Sequence, residues 1–196
     1  MNKEDYNDKI ISDAVSILKD DGVIVVPTDT VYGLAIKSDS DIAIKKIYKM
    51  KKRNLSKRLP MIVDSYERLS SLCDVDVNVI KKFQPFFPGK LTLVLKKKNS
   101  DDTIAVRMIN NEILNRVIKE LDCPLLLTSA NISGKETSND IMKIIDEFDG
   151  LVDMVIIGNK LGGISSTIVE LKDDKLILVR EGSISFKEIE ESFYRR

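Results

Sequence analysis

Residues 23–34 read Val23-Ile24-Val25-Val26-Pro27-Thr28-Asp29-Thr30-Val31-Tyr32-Gly33-Leu34. Four apolar β-formers in a row predict a buried strand, and Pro27 ends it. Ahead of them Tyr6, Ile10, Ala14, Ile17 and Leu18 recur at helical spacing, and Gly22 stops that helix. The strand delivers Thr28, Thr30 and Tyr32 at its carboxyl end, where open α/β sheets bind ligands. Gly33 lets the backbone turn or approach a ligand closely. A polar turn between two strands accounts for the same residues, since Thr and Tyr are good β-formers.

The alternation continues outward. Asp41 can cap a helix carrying Ile44, Ile47 and Tyr48, and residues 60–63 read as a strand. A helical piece over 77–83 precedes the apolar turn Pro85-Phe86-Phe87-Pro88-Gly89. Residues 91–95 and 104–107 read as strands, and Asn110 can cap a helix with Ile113, Leu114, Val117 and Leu121 on one face. A buried strand over 125–127 then delivers Thr128 and Ser129. Asn139 or Asp140 opens a helix through Ile141, Ile144, Ile145 and Phe148, closed by Gly150. Strands are expected at 155–157, 167–171 and 176–179, and Ser185 with Glu188 makes a capping box for a last helix. The order predicts a layered α/β (α+β) fold, and residues 1–196 read as a single domain.

Two further segments resemble the first in kind. Thr128-Ser129-Ala130-Asn131-Ile132-Ser133-Gly134 places hydroxyls, an amide and free backbone N–H groups after a strand, a cradle suited to an anion. Between Ile42 and Val63 the charged residues are Lys45, Lys46, Lys49, Lys51, Lys52, Arg53, Lys57 and Arg58, with no acid among them. Like charges at i,i+4 spacing weaken a helix, and a polyanion would offset that; a solvated cationic face is the plainer account. Arg107, Ser165-Ser166-Thr167 and Arg180-Glu181-Gly182 add strand-end hydroxyls and cations. Together these describe a pocket for a ligand that carries phosphates.

Composition limits the chemistry. The chain has 196 residues, formal net charge +0, 43% hydrophobic and 6% aromatic residues, and no histidine. No Ser-His-Asp triad, His-ligated zinc or His general base is possible. No P-loop spacing and no GxSxG elbow occur. Cys73 and Cys123 are isolated and read as reduced packing residues. The polar start and short apolar runs predict no signal peptide and no membrane span, hence a cytoplasmic protein.

Taken together, the motifs resemble the YrdC-like (TsaC) family of threonylcarbamoyl-AMP synthases, over about residues 10–184. They are PTDTVYGL (27–34), Lys51 with Arg53, PGxLT (Pro88, Gly89, Leu91, Thr92), Arg107, SANxSG (129–134), STIV (166–169) and RxG (Arg180, Gly182). The resemblance implies a twisted open mixed sheet flanked by helices around a basic cavity. It implies that L-threonine, bicarbonate or CO2, and ATP with Mg2+ give threonylcarbamoyl-AMP and pyrophosphate. A downstream tRNA threonylcarbamoyl transferase complex would move the group to tRNA, and a direct contact with tRNA or double-stranded RNA is a further implied partner.

Carried over by position, Lys51 and Arg53 are the catalytic pair and no resident metal ligands are implied. Lys51, Arg53, Lys57, Ser129, Asn131, Asn139 and Arg180 are the ATP residues. Thr30, Tyr32, Thr103, Arg107 and Ser129 are the threonine residues. The chain departs from the family at Arg58, Lys90 and Asn110, where proline is usual, and at Lys57, where many members carry asparagine. The segment 54–59 is expected to close over ATP as a lid. The chain reads as the short type without an additional C-terminal domain. The competing readings are a non-catalytic RNA-binding module and a carbamoyl-adenylate-handling domain as in hydrogenase maturation.

Overall fold

The computed structural model describes residues 3–158 and 162–195, with backbone alone for 3–6. In chain order the elements are α1 (Lys3–Lys19), β1 (Ile24–Val26), β2 (Gly33–Lys37), α2 (Asp41–Met50), β3 (Met61–Val63), α3 (Tyr66–Leu72), α4 (Val77–Lys81) and β4 (Leu91–Lys96). Then come β5 (Thr103–Met108), α5 (Glu112–Leu121), β6 (Leu125–Ser129), α6 (Ile141–Glu147), β7 (Met154–Val155), β8 (Thr167–Lys172), β9 (Lys175–Arg180) and α7 (Phe186–Tyr194). Among the described residues the strands form one sheet in the order β7-β1-β2-β6-β3-β5-β4-β8-β9. The β1–β7, β3–β5 and β4–β8 pairs are parallel and the others antiparallel, so the expected mixed α/β sheet is what forms.

The two halves of the sheet are covered differently, and this creates the site. In β1, Ile24 and Val26 face a core with Ile11, Ala14 and Leu18 of α1 and Val117 and Ile118 of α5. Val25 faces the opposite core, with Ala43 and Ile47 of α2 and Ile144 and Phe148 in and after α6. Burial on both faces explains the unbroken apolar run that opened the sequence. Around β4, β5 and β8 only one face is packed: Leu91, Leu93 and Leu95, Val106 and Met108, and Val169 join Phe83, Phe87 and Phe193 in a third core. The alternate residues Thr92, Val94, Ala105, Arg107 and Ile168 line a cavity instead. Strand alternation thus assigns one set of side chains to the core and the next to the site.

Several boundaries differ from the sequence reading. Ser40, not Asp41, caps α2: its Oγ accepts the Ala43 N–H at 3.0 Å, and Asp41 occupies the first helical position, beside the positive end of the dipole. Asn111, not Asn110, caps α5, accepting from Leu114 N at 3.1 Å while its amide donates to Pro27 O at 3.1 Å. Asp140 opens α6, and the Ser185–Glu188 capping box is formed. The sequence reading did not include β2 or α3. The expected strand at 155–157 forms only as β7, one to two residues earlier. The apolar role read for Tyr6 lies outside the described side chains.

Candidate active site

The turn after β1 is folded by its own hydroxyls. Thr28 is buried; its Oγ1 donates to Val31 O at 2.6 Å and accepts from the N–H groups of Thr30 (3.1 Å) and Val31 (3.2 Å). Such side-chain bonds replace the backbone bonds that a tight turn lacks. With the Thr28 proton committed to Val31, the 3.0 Å contact between the two threonine hydroxyls takes its proton from Thr30. This aims the Thr30 oxygen at Arg107.

Arg107 stands near the end of β5 and is only 5% exposed. Its Nε donates to Gly89 O at 2.8 Å, Nη1 and Nη2 donate to Thr30 Oγ1 at 3.3 and 3.2 Å, and Nη2 also donates to Asp29 Oδ1. Of the five N–H groups of a guanidinium, these contacts occupy four, leaving one on Nη1. Burial pulls the Arg107 pKa down, Asp29 raises it and the nearby Arg180 lowers it, yet arginine stays charged at any ordinary pH. The second Asp29 oxygen, Oδ2, is buried without a hydrogen-bond partner among the described residues. Gly89 has φ +147°, and a Cβ there would lie 2.9 Å from Phe86 O, so the carbonyl that receives Arg107 depends on glycine.

Lys51 caps the C-terminus of α2 and is 1% exposed. Its Nζ donates to Ser129 O and Asn131 O, both at 2.5 Å, with Asn131 Oδ1 at 3.4 Å. Burial and then the charge of Arg53 push its pKa down to about 8, with Glu147 opposing. The same loop is tied by Ser129 Oγ to Asn131 Oδ1 (2.6 Å), Asn131 Nδ2 to Lys135 O (2.6 Å) and Ser133 N to Lys51 O (2.9 Å). Lys51 is therefore a clamp beneath the 129–133 loop and is absent from the cavity wall. In this structure its ammonium holds the loop through Ser129 O and Asn131 O.

The cavity holds about 260 Å³. Arg53, Arg58, Arg107 and Arg180 line it together with hydroxyls such as Thr30 and Ser129, and among the described residues no carboxylate does. The sheet register sets Ile62 opposite Arg107, Thr92 opposite Ile168 and Ile168 opposite Arg180. Since Leu93 pairs with Val106, Thr92 also faces Arg107, and the five residues form one row across the sheet. At about 4.8 Å per strand, three strand steps put the Cα atoms of Arg107 and Arg180 about 14 Å apart. Arg180 Nη2 donates to Ser166 O at 2.7 Å, and burial followed by Arg53 lowers its pKa. Thr167 Oγ1 accepts from the N–H groups of Gly182 (3.0 Å) and Ile184 (3.2 Å) and donates to Ile184 O (2.5 Å), fixing the turn after Arg180.

Thr30, Arg53, Arg107, Ser129 and Arg180 thus line one cavity, with Asn131 hydrogen-bonded to Ser129. Besides Lys51 and Asn131, four other expected residues do not line that cavity. The Tyr32 ring is buried and its hydroxyl donates to Gly158 O (3.3 Å) and accepts from Gly158 N (3.1 Å), so it secures a backbone segment. Lys57 is exposed and contributes its carbonyl, which accepts from Tyr48 Oη (2.9 Å) and Arg53 Nε (3.0 Å). Thr103 is exposed at the far end of β5, about 13 Å along the strand from Arg107. Asn139 is exposed and packs by its amide toward Gly163, where a Cβ would come within 2.7 Å.

The sequence reading gave no site role to Asp29, Arg58 or Thr92. Asp29 stood inside a quoted motif, but an acid in an anion pocket makes sense only once it is paired with an arginine 78 residues away. A larger cleft of about 530 Å³ opens elsewhere, between Asp74, Asp76, Asp101 and Glu170, Asp173, Asp174. Six carboxylates against Lys96 and Lys172 give that cleft a negative lining, opposite in sign to the arginine cavity.

Fold and cavity define a mixed-sheet protein with an arginine-lined cavity. Residues 16–182 match the model of the Sua5/YciO/YrdC family, described as "Telomere recombination". A Methanocaldococcus jannaschii protein provisionally named a threonylcarbamoyl-AMP synthase is 36% identical over 171 residues, 85% of this chain and 83% of that protein. The structure of Pyrococcus abyssi Sua5 complexed with L-threonine aligns with a TM-score of 0.85 at 31% identity, over 93% of this chain and 56% of that one. Escherichia coli YciO aligns with a TM-score of 0.83 at 29% identity, over 92% and 93%. The chain belongs to the Sua5/YciO/YrdC family, and it spans little more than half the length of the Pyrococcus protein.

Proposed function

We propose that the chain is an L-threonylcarbamoyladenylate synthase, a nucleotidyltransferase acting ahead of tRNA modification. The observation that carries this reading is a cavity lined, among the described residues, by four arginines and no carboxylate, in a family with members named for this product. The reaction needs two anions brought together: the threonine carbamate and ATP. Threonine's amine adds to CO2, or to bicarbonate with loss of water, and a proton leaves to give the carbamate. A carbamate oxygen attacks the α-phosphorus; the bond from that phosphorus to the bridging oxygen breaks, and pyrophosphate departs with the electron pair.

The carbamate is already an anionic nucleophile, so no histidine or activated serine is required. What the protein supplies is alignment and charge stabilisation. Arg107, with one free N–H beside the Thr30 hydroxyl, suits the amino-acid carboxylate or carbamate. Arg53 and Arg180 suit the phosphates, with Ser129 on the loop that Lys51 holds. The described residues contain no group of three His, Cys, Asp or Glu side chains able to hold a metal. Mg2+ would come as the ATP complex, held by phosphate oxygens, and would offset phosphate charge alongside the arginines. The product would pass to a tRNA threonylcarbamoyl transferase, in the cytoplasm where ATP and tRNA meet; among the described residues no helix is long and apolar enough to cross a membrane.

The test is pyrophosphate release by purified protein with ATP, Mg2+, bicarbonate and L-threonine, with serine and no-amino-acid controls. Threonine-dependent release is expected. ATP binding without such release, by folded protein, would overturn the reading.

A further inference from the structure

Arg58 belongs to the cavity wall. Its loop is folded from behind. Arg53 donates from Nε to Lys57 O (3.0 Å) and from Nη2 to Arg58 O (3.1 Å), Tyr48 Oη donates to Lys57 O (2.9 Å), and Ser56 N donates to Asn54 Oδ1 (2.9 Å). Arg53 thus spends one edge of its guanidinium on the loop backbone. The loop projects Arg58 across the end of the cavity, where Nη1 donates to Thr103 O (2.8 Å) and Nη2 meets Asp102 Oδ1 at 3.3 Å.

The Asp102 contact is weak by its setting. The two side chains are 65% and 63% exposed, and the carboxylate is met by a single N–H. Exposed pairs of this kind contribute little and exchange readily for a better anion. Of the three other arginines on the cavity, Arg107 is paired with Asp29, while Arg53 and Arg180 meet only backbone carbonyls among the described residues, and Arg53 already depresses the Arg180 pKa, so two positive charges there lack a carboxylate partner. A group with several negative oxygens, spanning more than one arginine, is the ligand that offsets them.

We infer that Arg58 is a phosphate-binding residue of this chain, held on Asp102 and Thr103 O in the resting state and transferred to the triphosphate of the nucleotide when it binds. The inference rests on the reading above in taking that nucleotide to be ATP. Arg53 then has a second part, as the residue that shapes the loop presenting Arg58.

The experiment uses the full chain with Arg58→Ala, Arg58→Lys and Asp102→Asn. For Arg58→Ala, loss of a charge-assisted contact raises the KM for ATP and the Kd for inorganic tripolyphosphate about tenfold. The KM for threonine and the binding of adenosine stay unchanged. Arg58→Lys recovers part of the affinity, because the charge remains and the fork does not. Asp102→Asn leaves ATP affinity undiminished, since it removes only the resting partner. Equal losses in Arg58→Ala and Asp102→Asn would mean that Arg58 merely latches the loop, and would overturn the inference. So would unchanged tripolyphosphate binding in Arg58→Ala. Tripolyphosphate binding is independent of turnover. Wild-type protein that binds it through Arg58 but releases no pyrophosphate with threonine would keep the subsite and discard the synthase reading.

Discussion

Replacing Lys51 by methionine separates the cost of burying its charge from the gain of the contacts it makes. Methionine keeps the length of the side chain and removes every donor. Two carbonyls, Ser129 O and Asn131 O, lose partners at 2.5 Å, at about 1–3 kcal/mol for each buried acceptor left unpaired. Against this stands relief of a buried ammonium. Its pKa falls from 10.5 to about 8 on folding. At about 1.4 kcal/mol per pH unit, that burdens the wild type by about 3 kcal/mol at pH 7. The two effects largely offset: about 2–6 kcal/mol lost against about 3 kcal/mol relieved leaves Lys51→Met within about 3 kcal/mol of wild type at pH 7.

The sign with pH follows from proton binding. The folded pKa is depressed, so between about 8 and 10.5 the unfolded chain holds the proton and the folded one does not. Wild-type stability from this group therefore rises with pH across that window. Methionine has no such term, so the deficit of Lys51→Met grows by about 2 kcal/mol between pH 7 and 9.5. Urea unfolding of both proteins at the two pH values reads this directly, and the difference between them cancels the other titrating groups. A deficit that stays flat or shrinks would refute the assignment of Lys51 as a charged, desolvated clamp. Pyrophosphate release in the same variant should drop sharply at pH 7, because the Ser129–Asn131 loop loses its support.

Arg107→Lys keeps the charge but cannot reach Gly89 O, Thr30 and Asp29 together; threonine-dependent turnover should fall about 10- to 100-fold, read as kcat/KM for threonine. Tyr32→Phe removes both bonds to Gly158 and is expected to cost about 1–2 kcal/mol in unfolding while leaving the KM for threonine near wild type; a large KM effect would restore Tyr32 to the substrate side. Gly182→Ala puts a methyl 2.3 Å from Ser165 O, and the turn that holds Arg180 must shift. A destabilisation of about 1–3 kcal/mol should accompany a raised KM for ATP, measurable by thermal unfolding and steady-state kinetics.

The elements most legible in the sequence were those whose residues report their own environment. The run at 23–26 announced a strand buried on both faces, and the Ser185–Glu188 spacing announced a helix start. The cap positions slipped by one residue where two candidates adjoin, as with Ser40 and Asp41, because only the geometry decides which carries the non-helical backbone. The strand β2 was missed because Gly33 opens it; the glycine reads as a turn, yet a Cβ there would lie 2.8 Å from Leu127 Cδ2, so it serves close strand packing. At the site, strand-end cations and hydroxyls were visible as types. Orientation was not: Lys51 points under a loop, Tyr32 toward Gly158, and Asp29 into a pair with Arg107, each fixed by a partner distant in sequence.

The strands β4, β5 and β8 alternate between a packed core and an open cavity, and this sets how the protein can change. Val94, Ala105 and Ile168 face away from the core built by Leu91, Leu93, Val106 and Val169, so they can vary while that core stays packed, whereas Thr92 is held by its hydroxyl contact with Ser166. An insertion or deletion of one residue in these strands has no such freedom. It would turn leucines into the cavity and the threonine into the core in a single step. Homologues adapted to other ligands should therefore differ here by substitution, with length changes confined to the turns.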